Sequence, residues 1–425
     1  MKKRTIMIIA VAGVLLVGIG CGIWYLFFGG SDSTERKWEA IQSIEIDRES
    51  FEAGSKISKA DFTVIGTYIT ADGERKETEI SDVEIDLDEV PETGRNFKVG
   101  ISVGELSREL ELYNTREILE TYHIGKYEKE EVKAILYENG EFEIEGKGEV
   151  ANFPEGKVPW LQGEFSEDIR DFSYVDPFAT IESLDYWFKG CKSLEQVTCQ
   201  IPDSVRSMRE TFAETEELKK VSSLASADNL QDITGMCRDC IELTEVGALP
   251  AKLKVMKEAF SGCVNLINPA DVSGCKELEN MELAYAGDIA LSRVSIHENV
   301  KNLKGAFQGC VNLKEGVLPS EAKNISEIYS GCTHMTSIAG EITEACDSWS
   351  GAFENCYFLA GELKITTRNQ SLNGVFTNAA ISGDPLILLL SYIPSTEKED
   401  TVQILSDLHD TIQSEIDNGS NIKIQ

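Results

Sequence analysis

The spacing of apolar residues changes character three times along this chain. Residues 5–28, TIMIIAVAGVLLVGIGCGIWYLFF, carry no charge. At about 1.5 Å per helical residue, such a run crosses a hydrocarbon core of roughly 30 Å. It predicts a membrane helix, with MKKR (1–4) as a cytoplasmic stub and the WYLFF belt at the outer interface. Residues 29–40 read as a polar linker. From Ile41 to Asn114 the period falls to two: SIEID, FTVIGTYIT and FKVGISV alternate apolar and polar residues and are rich in Val, Ile, Thr and Tyr. With turn signals at ADG (71–73) and PETG (91–94), residues 41–114 predict a small β-sandwich. Residues 132–144, VKAILYENGEFEI, predict a hairpin in which Asn139-Gly140 suits a type I′ turn. IRDFSYV at 169–175 reads as a further strand.

Past residue 180 the period lengthens to about two dozen. An aromatic recurs at Phe188, Phe212, Phe260, Tyr285, Phe307, Tyr329, Phe353 and Phe376, with Cys237 filling the one missing place. The steps are 24, 25, 23, 25, 22, 22, 24 and 23 residues. Four positions before each lies a large apolar residue: Leu184, Met208, Ile233, Met256, Met281, Leu303, Ile325, Trp349 and Leu372. Six positions after lies Leu194, Leu218, Leu243, Leu266, Leu291, Leu313, Met335 or Leu359, and Ser382 ends the series. A leucine column at this period marks a solenoid. One such coil cannot bury its apolar set alone, whereas stacked coils bury each against the next. The ends then need covers: 115–180 closes the first of about nine coils (181–382), and 383–425 closes the last. Val402, Leu405, Leu408 and Ile412 have helical spacing and predict a capping helix.

The tandem pattern I/L-x-x-x-F-x-G-C-x-x-L resembles the BspA-type leucine-rich repeat of bacterial surface proteins. So does the lead-in, LYENGEFEIEGKGEV at 136–150 followed by PW at 159–160. The resemblance spans roughly 130–382. It implies a curved solenoid whose short parallel strands follow each C-x-x-L, on a protein that binds other proteins or mediates adhesion. The chain departs from the pattern at Thr215, Asp288 and Ala379, which replace the cysteine, and keeps the proline after the strand only at Pro202, Pro250 and Pro319. Further upstream, Ile41–Ile46, Gly54–Ile57, Phe62–Gly73 and Gly94–Val103 resemble a bacterial immunoglobulin-like domain, which implies a spacer.

The cysteine column, three residues after the aromatic, reads Cys191, Thr215, Cys240, Cys263, Asp288, Cys310, Cys332, Cys356 and Ala379. A compact apolar filler turning inward explains it best. Zinc needs four ligands converging tetrahedrally, and equivalent positions of stacked coils lie along a line. CRDC at 237–240 looks like half a metal or redox motif, but repeat columns account for both of its cysteines. Disulfides stay open in an extracytoplasmic protein. Parallel Cβ vectors disfavour bridges along the column, so Cys199, Cys275 and Cys346 are the better candidates. At the N-terminus, a cleaved signal peptide and lipid attachment at Cys21 stand as rivals to the anchor.

Charge narrows the function. There are 73 acidic against 40 basic residues, a net of −33, and outside Lys2, Lys3 and Arg4 no basic cluster offers phosphate contacts, which excludes nucleic acid. His123, His297, His334 and His409 sit in no catalytic or metal-binding context, and carboxylate pairs such as Asp86 with Glu89 mean little among so many acids. DLDE at 86–89 lacks the spacing and glycine of a calcium loop. No residue is therefore assigned a catalytic, cofactor-binding or metal-binding role, and the expectation is that the chain is not an enzyme. The natural variable positions follow each column leucine: Glu195-Gln196, Lys219-Lys220, Thr244-Glu245, Ser292-Arg293, Lys314-Glu315 and Thr336-Ser337. The expected protein is a single-pass, membrane-anchored interaction or adhesion module at the bacterial surface. Its partner would be a protein or envelope polymer close to its own membrane. A structural envelope component and a cryptic envelope hydrolase are the alternatives.

Overall fold

The computed structural model describes residues 38–46, 51–70, 72–91, 93–94, 96–366, 374–390, 410 and 412–425. The expected membrane helix, Cys21, Leu372, His409 and most of the expected capping helix lie outside these residues. Among the described residues no helix is long and apolar enough to cross a membrane. The chain divides into two compact units, Met1–Glu117 and Ile118–Gln425.

Among the described residues the first unit holds seven strands: β1 (Trp38–Ile46), β2 (Phe51–Glu52), β3 (Phe62–Ile69), β4 (Arg75–Glu79), β5 (Glu84–Ile85), β6 (Asn96–Val103) and β7 (Leu106–Thr115). They form one sheet in the order β1-β3-β4 and another in the order β2-β7-β6-β5. Period-two alternation puts Val64 of β3 and Val99 and Ile101 of β6 into one shared core. Phe51 bridges the two sheets, stacked on Phe62 at 6.2 Å and edge-on to Phe97 at 5.9 Å.

The second unit opens with β8 (Ile118–His123), β9 (Lys133–Tyr137), β10 (Glu141–Glu145), β11 (Gly148–Glu149), β12 (Asp171–Val175) and β13 (Ala179–Thr180). The hairpin β9–β10 forms, but its turn differs from the type I′ expectation. Gly140 alone has a positive φ, 87°, and its N–H donates to the Tyr137 carbonyl at 2.9 Å. Asn139 keeps a negative φ and uses its side chain instead, its Oδ1 accepting from the Glu141 N–H at 3.2 Å. The local side-chain bond makes the left-handed backbone unnecessary there. Trp160, fully buried, packs on Phe142 at 4.8 Å and Trp187 at 5.0 Å and donates its indole N–H to the Trp187 carbonyl. That bond ties the lead-in to the first coil.

The coils then add β14 (Gln196–Val197), β15 (Lys220–Val221), β16 (Glu245–Val246), β17 (Glu315–Leu318), β18 (Ser337–Ile342), β19 (Gly361–Ile365) and β20 (Leu386–Leu390), and the tail adds β21 (Ile422–Ile424). They fall into two sheets, β16-β15-β14-β12-β10-β9-β8 and β17-β18-β19-β20-β21, parallel throughout the coils. At the far end Ile412 is buried in a short helical stretch, residues 412–417, and β21 pairs with β20.

Between the sheets, the coils that carry Leu266 and Leu291 have no assigned strand. Pro269 stands where the first of these would run, and a proline contributes no N–H to a ladder. The opposite side of the solenoid is unbroken. There a ladder of parallel bridges runs through Ser183, Ser207, Asp232, Val255, Asn280, Asn302, Asn324 and Ser348.

Each turn from the first apolar column to the cysteine column uses alternate amides to reach the next coil. The N–H of Tyr285 donates to Ala306, that of Phe307 to Ile328 and that of Tyr329 to Ala352, at 2.9–3.0 Å. This needs left-handed backbone two residues before and two after the aromatic. Glycine supplies it at Gly305 and Gly309, but Tyr186, Glu210, Glu258, Leu283 and Glu327 occupy the first of these positions at φ between 48° and 65°. An L side chain in that region is disfavoured. Glu327→Gly is therefore expected to stabilise the unit by about 1 kcal/mol after the entropic cost of glycine. A urea midpoint that rises with unchanged slope would show it; a lowered midpoint would contradict the strain.

Candidate interaction surface

Among the described residues, and Ser382 apart, the three columns read from the sequence stand as files in the interior. All nine residues of the aromatic column are fully buried. Their rings lie face to face: Phe188–Phe212 at 5.9 Å and 10°, Phe260–Tyr285 at 5.4 Å, Tyr285–Phe307 at 5.5 Å and 7°, Phe307–Tyr329 at 5.7 Å, Tyr329–Phe353 at 6.1 Å and Phe353–Phe376 at 5.6 Å. The file breaks once, at Cys237.

Beside it runs the cysteine file, also fully buried. Five of its thiols donate to the backbone carbonyl of the preceding coil's aromatic-column residue: Cys240 to Phe212 at 3.0 Å, Cys263 to Cys237 at 3.1 Å, Cys310 to Tyr285 at 3.1 Å, Cys332 to Phe307 at 3.1 Å and Cys356 to Tyr329 at 3.2 Å. A small side chain with one weak donor fits that slot, which explains cysteine beyond its size. Thr215 holds the same file position but turns its hydroxyl to the Phe212 carbonyl of its own coil, at 2.7 Å. All ten described cysteines are free and buried, Cys199, Cys275 and Cys346 included. Burial pushes the thiols of Cys191 and Cys332 up to about 12, far from the thiolate that nucleophiles and metal ligands need. Among the described residues no group of three or more His, Cys, Asp or Glu side chains is placed to hold a metal.

The three described histidines do not converge. His123 ends β8 and is exposed, His297 Nδ1 accepts from the Asn299 N–H, and His334 stacks on Phe358 at 6.4 Å. Asp86 accepts from the Gly100 N–H at 2.6 Å, while Glu89 pairs through its backbone with Lys56 in an isolated antiparallel β-bridge. The depression lined by Leu318, Ile325, Ile342 and Cys346 holds about 170 Å³, open solvent included, below the roughly 300 Å³ of a small-molecule pocket.

What the coils do present is a row. The variable pairs come to the surface in register, with Gln196 beside Lys220 beside Glu245 and Glu315 beside Ser337. Glu195 is half-buried and the other eleven side chains are exposed. Several pin the row with their own bonds: Lys220 pairs with Glu245 at 2.8 Å, and Thr244, Ser292 and Thr336 donate to carbonyls of the preceding coil. A second row, at the turn edge just past the cysteine file, exposes large apolar side chains: Ile241, Ile289, Phe358 and Ile381 are between 42% and 48% exposed.

Sequence reasoning missed two features. One is a polar residue five before the aromatic column in several coils: Asp232, Asn280, Asn302 and Asn324 accept the N–H two residues on, at 2.9–3.2 Å, and so shape the entry to those turns. Their alignment at the repeat period was available as a signal. The other is an ion-pair chain across coils, Glu155–Lys189–Glu210–Arg238–Glu258. Burial alone would raise the Glu210 carboxyl, but Lys189 and Arg238 outweigh it and hold it below its ordinary range.

A repeated coil with a buried aromatic file and short parallel strands defines a leucine-rich repeat solenoid. Residues 166–286 and 282–381 match the BspA type leucine rich repeat region in six copies, together just over half of the sequence. The chain belongs to this family. It is similar to a solved leucine-rich repeat protein from Eubacterium ventriosum, with 15% identity over 64% of this chain and 85% of that one and a TM-score of 0.30. It is also similar to the leucine rich repeat protein of T. pallidum, with 18% identity over 52% and 83% and a TM-score of 0.27. No curated protein matches it.

Proposed function

We propose that the chain is a non-enzymatic binding module whose ligand lies along the solenoid, held outside the cell by residues 5–28. The supporting observation is the exposed row itself: unrelated side chains held in register on two ladders of parallel strands, over an interior whose described cysteines are all buried. The partner class that fits is a protein or envelope polymer, and the seven-stranded first unit serves as an immunoglobulin-like spacer. Capture from envelope extracts by the ectodomain, with and without Lys219→Glu/Lys220→Glu, tests this reading. Both side chains are exposed, so the lost Lys220–Glu245 pair and the like charge that replaces it are expected to cost about 1 kcal/mol at most, while capture falls. Unchanged capture would remove this part of the row from the interface. Antibody labelling of intact cells tests the location, and a mutant with envelope defects but no captured ligand would favour a purely structural role.

A further inference from the structure

Asp288 departs from the cysteine file in a way that none of the roles above absorbs. It is fully buried, and neither carboxyl oxygen has a hydrogen-bond partner. By the pattern of its neighbours, the residue here should donate to the carbonyl of Phe260, as Cys263 and Cys310 donate one coil to either side. A carboxylate has no proton to give. The closest backbone amides, those of Gly262 and Cys263, already donate to Ala286 and Phe260. Leaving a carboxylate there would strand a charge in an apolar interior.

The position matters as much as the residue. Asp288 sits in one of the two coils that lack a strand, next to the coil where Pro269 interrupts the ladder. There the Tyr285 hydroxyl accepts from the Ala270 N–H at 3.2 Å, so it is occupied close to where the strand is missing. On the other side of the solenoid the bridges Val255–Asn280–Asn302 continue unbroken. On the strand side the Ser292 N–H and hydroxyl both donate to the Ile267 carbonyl, at 3.0 and 3.1 Å, where the neighbouring coils have paired strands; this thinner tie makes the stretch a weak joint, with the orphan acid in the packed layer beside it.

We propose that the coils carrying Leu266 and Leu291 form a proton-latched joint, closed when Asp288 is a neutral acid and opened locally when it loses its proton. Burial, offset only in part by the Cys263 and Gly262 amides, pushes the carboxyl up to about 9, against an unfolded value near 3.8. The closed joint thus keeps a proton that the open joint releases, and opening becomes easier as pH rises between these values. The titratable groups facing Asp288 are Tyr285 in its own coil, Cys263 in the coil before and Cys310 in the coil after. Burial raises all three, so each stays neutral throughout that window. None of the ion pairs among the described residues reaches Asp288, which leaves the titration to it alone.

Amide hydrogen exchange of the full chain between pH 5 and 8, corrected for the intrinsic pH dependence, tests the joint. In the wild type, the open population of peptides spanning 260–300 is expected to rise about tenfold per pH unit. Above pH 6, where Asp171 has finished titrating, peptides from β14 to β16 and from β17 to β20 that exchange through local openings of their own are expected to stay flat. Asp288→Cys, which restores the file, and Asp288→Asn, which removes the proton, should both abolish the slope. A flat wild-type profile would overturn the proposal, as would a slope that survives Asp288→Cys or one shared equally by all coils.

Discussion

Replacing Phe307 by alanine is expected to destabilise the repeat unit by about 3–5 kcal/mol. The ring is fully buried between Tyr285 at 5.5 Å and Tyr329 at 5.7 Å. Its removal forfeits transfer free energy and leaves a gap between two coils. The gap cannot close, because the backbone of each coil is bonded to the next on both sides of the ring: the Tyr285 N–H to Ala306 and the Phe307 N–H to Ile328, each at 2.9 Å. Phe307→Leu keeps most of the volume and is expected to cost less than about 1.5 kcal/mol. Urea unfolding of the two variants would separate them. Equal, small losses in both would mean that the ring is not a packed member of the file.

Asp288→Cys is expected to stabilise the protein at pH 7, an effect opposite in sign to most core substitutions. The folded chain holds the Asp288 proton up to about 9, whereas the unfolded chain releases it near 3.8. Below pH 4 both states are protonated and the acid costs nothing through ionisation. As pH rises through the window the unfolded state gains, and wild-type stability falls by up to about 1.4 kcal/mol per pH unit. At pH 7 the accumulated loss is on the order of 4 kcal/mol, and cysteine removes it. The gap between variant and wild type should therefore vanish toward pH 4 and widen to neutrality. Asp171, pushed up to about 6 by burial against its bonds from Thr198, leaves a smaller decline of the same sign in both proteins. A variant less stable than wild type at pH 7 would show that the carboxyl is satisfied where it stands.

The files were legible in the sequence because each depends on a property that one residue displays by itself. Aromatic size at Phe307 and Phe353 and small volume at Cys310 and Cys332 repeat at a fixed period, and stacking turns that repetition into contact. The seven strands of the first unit were legible only in outline, since alternation in FTVIGTYIT marks a strand without naming its partner. The left-handed backbone two residues before the aromatic was not legible. Glycine signals it at Gly305 and Gly351, while Glu210, Leu283 and Glu327 disguise it. The thiol-to-carbonyl bonds were equally hidden, because the acceptor is backbone and lies one coil back. The same blindness made Asp288 look like a tolerated substitution rather than an acid deprived of its donor. Asn139-Gly140 misled because a side-chain bond offered the turn a second solution.

The most direct test of the stacked-coil account is a crystal structure of the repeat unit, read at the aromatic file. The account predicts Tyr285, Phe307, Tyr329 and Phe353 ring to ring at 5.5–6.1 Å, with the thiols of Cys310 and Cys332 on the carbonyls of Tyr285 and Phe307. Rings dispersed through separate parts of the unit, or Cys240, Cys263 and Cys310 gathered around an ion, would contradict it.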